Sequence, residues 1–307
     1  MAVKSKKFVV TGGAGFIGSN LVNELVKNGY EVHVIDNFST GKKENCNENA
    51  KYHELDLSLN SNLKSIKKVF EGSESIFHLA AKARVQPSIL NPFEYEKNNT
   101  LSTVNIFKAA VDVNVSRVIY SSSSSVYGNT NKLPSSESDS VSPISPYALQ
   151  KYYGELCCKM FSKVYGIESV SLRYFNVYGE GQNLGGAYAT VVGIFLNQKM
   201  EGKPLTINGD GTQRRDFTYV GDVVTANILA AESNKVKDGQ VINIGFGKNI
   251  SINELADLIY DKKVYLEPVD EPFENLADIS RAQNLLNWKP RMSIQGWIKS
   301  LNIKRNS

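Results

Sequence analysis

Tyr147 and Lys151 stand four residues apart in the run Tyr147-Ala148-Leu149-Gln150-Lys151. On an α-helix that spacing sets a phenol and an ammonium one above the other on a single face. Ser145 and Pro146 read as an N-cap and a first helical residue, which places Tyr147 in the first turn, where the helix dipole favours an anion. A free phenol titrates near ~10 and is a poor base at neutral pH, but Lys151 and a second positive charge close by would bring it towards ~7. The chemistry on offer is removal of a proton from a substrate hydroxyl. Alone, Tyr-x-x-x-Lys arises often by chance on exposed helices, so its surroundings decide its meaning.

The second constellation is Gly12-Gly13-Ala14-Gly15-Phe16-Ile17-Gly18, which follows the apolar run Phe8-Val9-Val10 and opens a helical pattern over 17–27. In that context Gly12 and Gly15 let the backbone turn tightly against a pyrophosphate. Phe16 and Ile17 begin a helix whose free N–H groups favour an anion, and Gly18 lets helix and sheet pack closely. Asp36, with Asn37 beside it, ends the next strand about 20 residues on, where a carboxylate accepts the adenosine ribose hydroxyls. Asp36 would repel a 2′-phosphate and no Arg or Lys follows before Lys42, so the expected cofactor is NAD and not NADP. Its cationic nicotinamide is the second positive charge Tyr147 needs. Asp56 and Leu57 either flank the adenine or start a helix, Asp56 serving as an N-terminal acid.

These residues need a scaffold, and the first half of the chain supplies its signature. Short β-branched runs at 8–10, 31–35, 76–79, 117–120 and 169–173 alternate with helical patterns at 17–27, 63–70, 92–113 and 147–165. The class is α/β: a Rossmann-type doubly wound parallel sheet covered on both faces, with a smaller C-terminal substrate-binding domain. After Asn176 the rhythm breaks among glycines, and 222–246 reads as one more helix and strand returning to the sheet. The expected division is 1–176 plus 220–246 for the NAD-binding domain and 177–219 plus 247–307 for the substrate domain. Ser121–Ser125 reads in isolation as a flexible loop, yet it follows a strand at the carboxyl edge, where open α/β sheets hold ligands.

Composition narrows the partners. Of 307 residues 41% are hydrophobic and 21% charged, as in chains that fold alone, and a dispersed net charge of +4 makes nucleic acid a poor partner. Cys46, Cys157 and Cys158 are too few and too badly placed for a disulfide framework, which fits a reducing cytoplasm. The apolar run at 8–10 is far too short for a signal core or a membrane span, and His33, His53 and His78 are too dispersed for a metal site. Trp288 and Trp297 read as core residues. Tyr95, Phe107, Met160 and Phe161 either line a helical face that pairs subunits or fill the core.

Together with these motifs, His78-Leu79-Ala80-Ala81, Asn98-Asn99, Ser121–Gly128, Leu172–Gly179 and Arg215-Asp216-Phe217 make the chain resemble, over essentially its whole length, the extended short-chain dehydrogenase/reductases of the NAD-dependent epimerase/dehydratase family. Within it, Gly186-Ala187-Tyr188-Ala189 and Ile207–Gly211 resemble the UDP-hexose 4-epimerases, particularly those accepting UDP-N-acetylglucosamine. The resemblance implies a UDP-sugar substrate and a homodimer. It implies that Ser123, with Ser125 as a candidate to share the task, hydrogen-bonds the reacting hydroxyl and Tyr147. Tyr147 then takes the O4 proton while hydride leaves C4 for the nicotinamide, and the 4-keto sugar rotates before hydride returns to its other face. By the same resemblance Asn98, Ser121, Leu79 and the Ala80-Ala81 backbone line the cofactor, and Tyr174 its nicotinamide end. Asn176 and Arg215 grip the diphosphate, a guanidinium fork suiting it well. Ala187 and Tyr188 belong to the sugar pocket, and Asn275 sits where a large aromatic would exclude N-acetyl groups.

Relatives that dehydrate the sugar carry Asp-Glu just after the position of Ser123, whereas this chain has Ser124-Ser125, so dehydration and decarboxylation are disfavoured. An oxidoreductase that releases its keto product remains an alternative. A non-catalytic scaffold is disfavoured because such proteins commonly lose the Tyr or Lys kept here. Two departures stand out. The stretch 268–274 is acidic and lacks the Arg that usually clamps the diphosphate, so either Lys82, Arg84 or Arg214 substitutes for it or these acids sit in solvent. Ser102 replaces a glycine, so its helix would pack differently against the cofactor loop.

Overall fold

A computed structural model describes residues 5–130, 132–186, 188–269 and 271–301. Six strands, β1 (Lys7–Thr11), β2 (Glu31–Asp36), β3 (Lys51–Glu54), β4 (Ser75–His78), β5 (Arg117–Ser123) and β6 (Glu168–Tyr174), join the returning strand Gln240–Ile244 in one sheet. Its order is β3-β2-β1-β4-β5-β6 with Gln240–Ile244 outermost, every pairing parallel. The chain reverses direction across the sheet between β1 and β4, so the glycine loop leaving β1 opens onto the crevice where such sheets bind ligands.

Both faces are covered, which is why the strands read as nearly unbroken apolar runs. Val10, Val34, Phe77, Ile119 and Leu172 pack against helix α1 (Phe16–Lys27) and helix Val220–Glu232. Val9, Ile35, Ile76 and Val118 pack on the other face against helices Leu63–Phe70, Ser102–Asp112 and Pro146–Tyr165. Trp288 joins the first cluster, its indole N–H donating to the Asp222 carbonyl at 2.9 Å. A separate apolar cluster holds Phe195, Ile207, Leu255, Ile294 and Trp297.

The expected helix over 92–113 is three pieces: Pro92–Glu96, a π-helical turn Lys97–Leu101, and Ser102–Asp112. The Ser102 hydroxyl turns back onto the Asn98 carbonyl, a bond that a glycine could not make. Tyr95, Phe107 and Phe161 are buried in the monomer, so of the four residues with two readings only Met160 faces outward. Among the described residues no helix is long and apolar enough to cross a membrane.

Candidate active site

A cavity of about 990 Å³ runs from the glycine loop to the N-terminus of the helix Pro146–Tyr165, at the top of the usual size range for ligand sites. Apart from Arg214, one of the substitute cations, every described residue expected from the sequence to touch cofactor or substrate lines it. Ala187, named for the sugar pocket, lies outside the described residues.

The cofactor end is shaped by absent side chains. Gly12 has φ +71°, and a Cβ there would sit 2.8 Å from the Ala80 backbone, while a Cβ on Gly18 would sit 2.1 Å from the Gly12 carbonyl oxygen. Larger residues would fill the cradle, so the loop fits a pyrophosphate lying against bare backbone. Asp36 accepts from the Ala14 N–H at 3.0 Å and the Phe38 N–H at 2.8 Å, which fixes its carboxylate at the end of β2. Burial nonetheless pushes its pKa up, against those two bonds. Lys42 pairs with Glu44 at 3.1 Å. Phe16, Ile17, Asn37, Leu57 and Leu79 complete this end. Asp56 lines the wall but does not start a helix: it closes a turn, accepting from the Ser58 backbone at 2.9 Å and hydroxyl at 2.6 Å, and the following helical turns begin only at Asn60 and Leu63.

At the chemical end the Ser145 hydroxyl accepts from the Ala148 N–H at 3.2 Å and Pro146 opens the helix, so Tyr147 does lie in the first turn. The Tyr147 N–H donates to the Ser88 hydroxyl at 3.2 Å. The expected lowering of its pKa is not present in the chain by itself. Burial pushes the Tyr147 phenol up, opposed by a Ser123 hydrogen bond and by the Arg84 guanidinium. Lys151 lies 5.9 Å from the Tyr147 ring centre and donates to the Ser121 carbonyl at 2.6 Å. Burial pulls its own pKa down to about 7, because an ammonium enclosed without a carboxylate is costly.

The serine-rich tract is ordered. Ser121–Ser123 extends β5 by pairing with Leu172–Tyr174, and Ser123 accepts from the Ser125 N–H at 3.2 Å. The Ser125 hydroxyl is buried and has no partner among the described residues, a free donor in the wall. Behind the tract lies a group the sequence did not signal: Glu155, fully buried, accepts from the Ser122 hydroxyl at 2.5 Å and from Arg173 at 2.8 and 2.7 Å. Arg173 also lies 4.6 Å from the Tyr127 ring centre. Asn99 was likewise missed as distinct from its neighbour. Asn98 faces the cavity, whereas buried Asn99 holds both backbone groups of Lys82 at 2.8 and 3.0 Å and the Gln150 side chain at 2.8 Å. It thereby ties the Ala80–Arg84 wall to the Tyr147 helix.

Tyr174 presents its ring while Asn227 holds its hydroxyl at 2.9 Å. Asn176 donates to the Asp216 carbonyl at 2.8 Å and to the Asn275 side chain at 3.0 Å, so these two asparagines brace each other. Arg215 pairs with Glu271 at 2.9 Å and donates to the Phe273 carbonyl at 3.1 Å. Glu271 and Glu274 line the cavity, whereas Asp270 lies outside the described residues. Of the substitute cations, Arg214 turns to Glu254 at 3.1 Å and Lys82 to Glu94 at 3.0 Å. Arg84 donates to the Tyr188 carbonyl at 3.1 and 2.9 Å.

Comparison with known proteins agrees with this geometry. Residues 8–245 match the family model described as the NAD dependent epimerase/dehydratase family. A putative UDP-glucose 4-epimerase of Methanocaldococcus jannaschii is 38% identical over 299 residues, covering 95% of each chain. The UDP-N-acetylglucosamine 4-epimerase of Methanobrevibacter ruminantium, solved with UDP-N-acetylmuramic acid, superposes with a TM-score of 0.90 at 38% identity, covering 98% of this chain and 99% of that one. The UDP-glucuronic acid 4-epimerase of Bacillus cereus, solved with UDP-glucuronic acid and NAD, superposes at 0.87 with 36% identity, covering 95% and 96%. A glycine cradle, a carboxylate fixed at the end of β2 and a capped Tyr-Lys helix on one cavity thus coincide with these likenesses, and the chain belongs to the NAD dependent epimerase/dehydratase family, among its nucleotide-sugar 4-epimerases, with NAD as its cofactor.

Proposed function

We propose that the protein inverts C4 of a UDP-linked hexose without net oxidation. The observation that carries this reading is Tyr147 in a capped first turn, hydrogen-bonded with Ser123, on the same cavity as the glycine cradle. NAD, when bound, accepts and returns the hydride at C4. Tyr147 takes the O4 proton as the carbon is oxidised and gives it back on reduction. Ser123 orients that hydroxyl, Ser125 offers a second donor, and Lys151 holds the strand end, while Ser123 and the Arg84 guanidinium oppose the upward push of burial on the Tyr147 phenol. Asn176, Asn275 and Arg215 form the nucleotide side of the pocket, Arg215 exchanging Glu271 for the diphosphate. The residues 1–176 plus 220–246 serve the cofactor, and 177–219 plus 247–307 the sugar nucleotide. The working unit is a homodimer, supported by the exposed stripe Leu149, Tyr153, Leu156, Met160 and Val164 along one helix.

The test is product analysis by NMR after incubating the holoenzyme with UDP-glucose, UDP-N-acetylglucosamine, UDP-glucuronate and dTDP-glucose. Inversion at C4 with no added cofactor is expected, and Tyr147→Phe should keep NAD but lose at least about 100-fold in turnover. A 4-keto-6-deoxy or pentose product, stoichiometric NADH, or a fully active Tyr147→Phe would refute the proposal.

A further inference from the structure

Five cations line the cavity: Lys42, Lys82, Arg84, Lys151 and Arg215. Lys42, Lys82 and Arg215 are each matched by a carboxylate, Glu44, Glu94 and Glu271. Lys151, on the Tyr147 helix, donates to the Ser121 carbonyl and has a pKa drawn down to about 7, so it sheds much of its charge near neutrality. Arg84 is different. It stays charged, it is partly buried, and among the described residues no Asp or Glu pairs with it. Its Nε and Nη2 share the Tyr188 carbonyl, and among the described residues Nη1 has no hydrogen-bond partner. The residue is also held at φ +88°, a conformation a non-glycine side chain adopts only when its surroundings impose it. A guanidinium enclosed in a wall without a counter-charge is costly unless an anion arrives with the ligand.

The position of Arg84 says which anion. Its charge acts on the Tyr147 hydroxyl, and Tyr147 must meet the sugar at O4. The diphosphate hangs from the anomeric carbon, across the pyranose ring from C4, so it belongs at the opposite end with Arg215. The ring carbons next to C4 are C5 and C3, which leaves an acid on the C5 substituent or on an ether at C3. An N-acetyl group at C2 is both neutral and one carbon further away.

Resting on the reading of this site as a 4-epimerase, we infer that Arg84 receives a carboxylate carried beside the reacting carbon, so that the substrate is a UDP-sugar acid. The acid is either a hexuronate or a 3-O-lactyl sugar. Each presents two oxygens to the Arg fork, a charge-assisted geometry that neutral hexoses cannot offer.

The test compares kcat/KM and calorimetric affinity for UDP-glucuronate, UDP-N-acetylmuramate, UDP-glucose and UDP-N-acetylglucosamine, in the wild-type holoenzyme and in Arg84→Gln and Arg84→Lys. One acidic sugar should be preferred over its neutral counterpart by at least about 10-fold, and which one identifies the source of the carboxylate. Arg84→Gln should lower that ratio on the order of 30-fold, and Arg84→Lys should restore part of it. An unchanged ratio overturns the inference. So do equal losses on acidic and neutral sugars with the pH profile moved to the alkaline side, since Arg84 would then serve Tyr147 alone. Absence of C4 inversion on every sugar would instead remove the epimerase reading, and the affinity ratios would still report on Arg84 directly.

Discussion

Replacing Glu155 by Leu removes the acceptor of three hydrogen bonds from a position with no solvent access. The Arg173 side chain is itself only 3% exposed, so its charge would be stranded, and breaking a buried pair in this way typically costs about 3–5 kcal/mol. The Ser122 hydroxyl, also buried, loses its partner, which adds roughly 1 kcal/mol or more. Against a total stability of about 5–15 kcal/mol the single variant should be severely weakened. The companion change Arg173→Met removes the stranded charge, and the double variant should recover most of the loss. It would still lack the cation over the Tyr127 ring, worth about 1 kcal/mol. Urea unfolding followed by circular dichroism and by Trp288 and Trp297 fluorescence measures each corner of the cycle. The reasoning is refuted if Glu155→Leu costs under about 1 kcal/mol, or if the double variant is less stable than Glu155→Leu alone.

Lys151 titrates at about 7 in the folded chain against 10.5 for a free side chain, so between those values the unfolded chain holds the proton more tightly. Stability of the cofactor-free protein should therefore rise with pH across that window, the full penalty being present below about 7 and gone above 10.5, a span on the order of 5 kcal/mol. Lys151→Met should flatten that rise in paired unfolding curves, and parallel curves would contradict it. For the subunit interface, Leu156→Asp with Met160→Asp should convert a dimer to a folded monomer in light scattering; a wild-type protein already monomeric would contradict the assignment of that stripe.

The doubly wound sheet was legible because each element carries its own period and its own punctuation. Ser145-Pro146 announces the Tyr147 helix before any contact is known, and the glycine loop declares itself by following a strand. Elsewhere tertiary pairing overrides local preference. Ser121–Ser123 are weak strand formers, yet they extend β5 because Leu172–Tyr174 lie beside them in register. The break at Lys97–Leu101 has no local signature, since Asn99 takes its place from Lys82 and Gln150, far apart in sequence. Glu155 reads as an ordinary helical acid until Arg173 and Ser122 are brought against it. The direction of the acidic stretch was equally hidden, because only the folded chain pairs Glu271 with Arg215.

Asp216 carries a consequence for how such proteins diversify. Its single carboxylate receives the backbone N–H groups of Phe246, Gly247 and Ala277 at 2.7, 3.0 and 3.0 Å. Because the donors are main-chain atoms, the anchor itself needs no particular side chain there, although Gly247, at φ +76°, and buried Ala277 leave room only for small residues. The stretch between them bears Glu271, Glu274 and Asn275 on the ligand side, so its side chains can be exchanged while its ends stay moored. Selection can thus retailor what the enzyme accepts one loop residue at a time, leaving the reaction centre and its scaffold untouched.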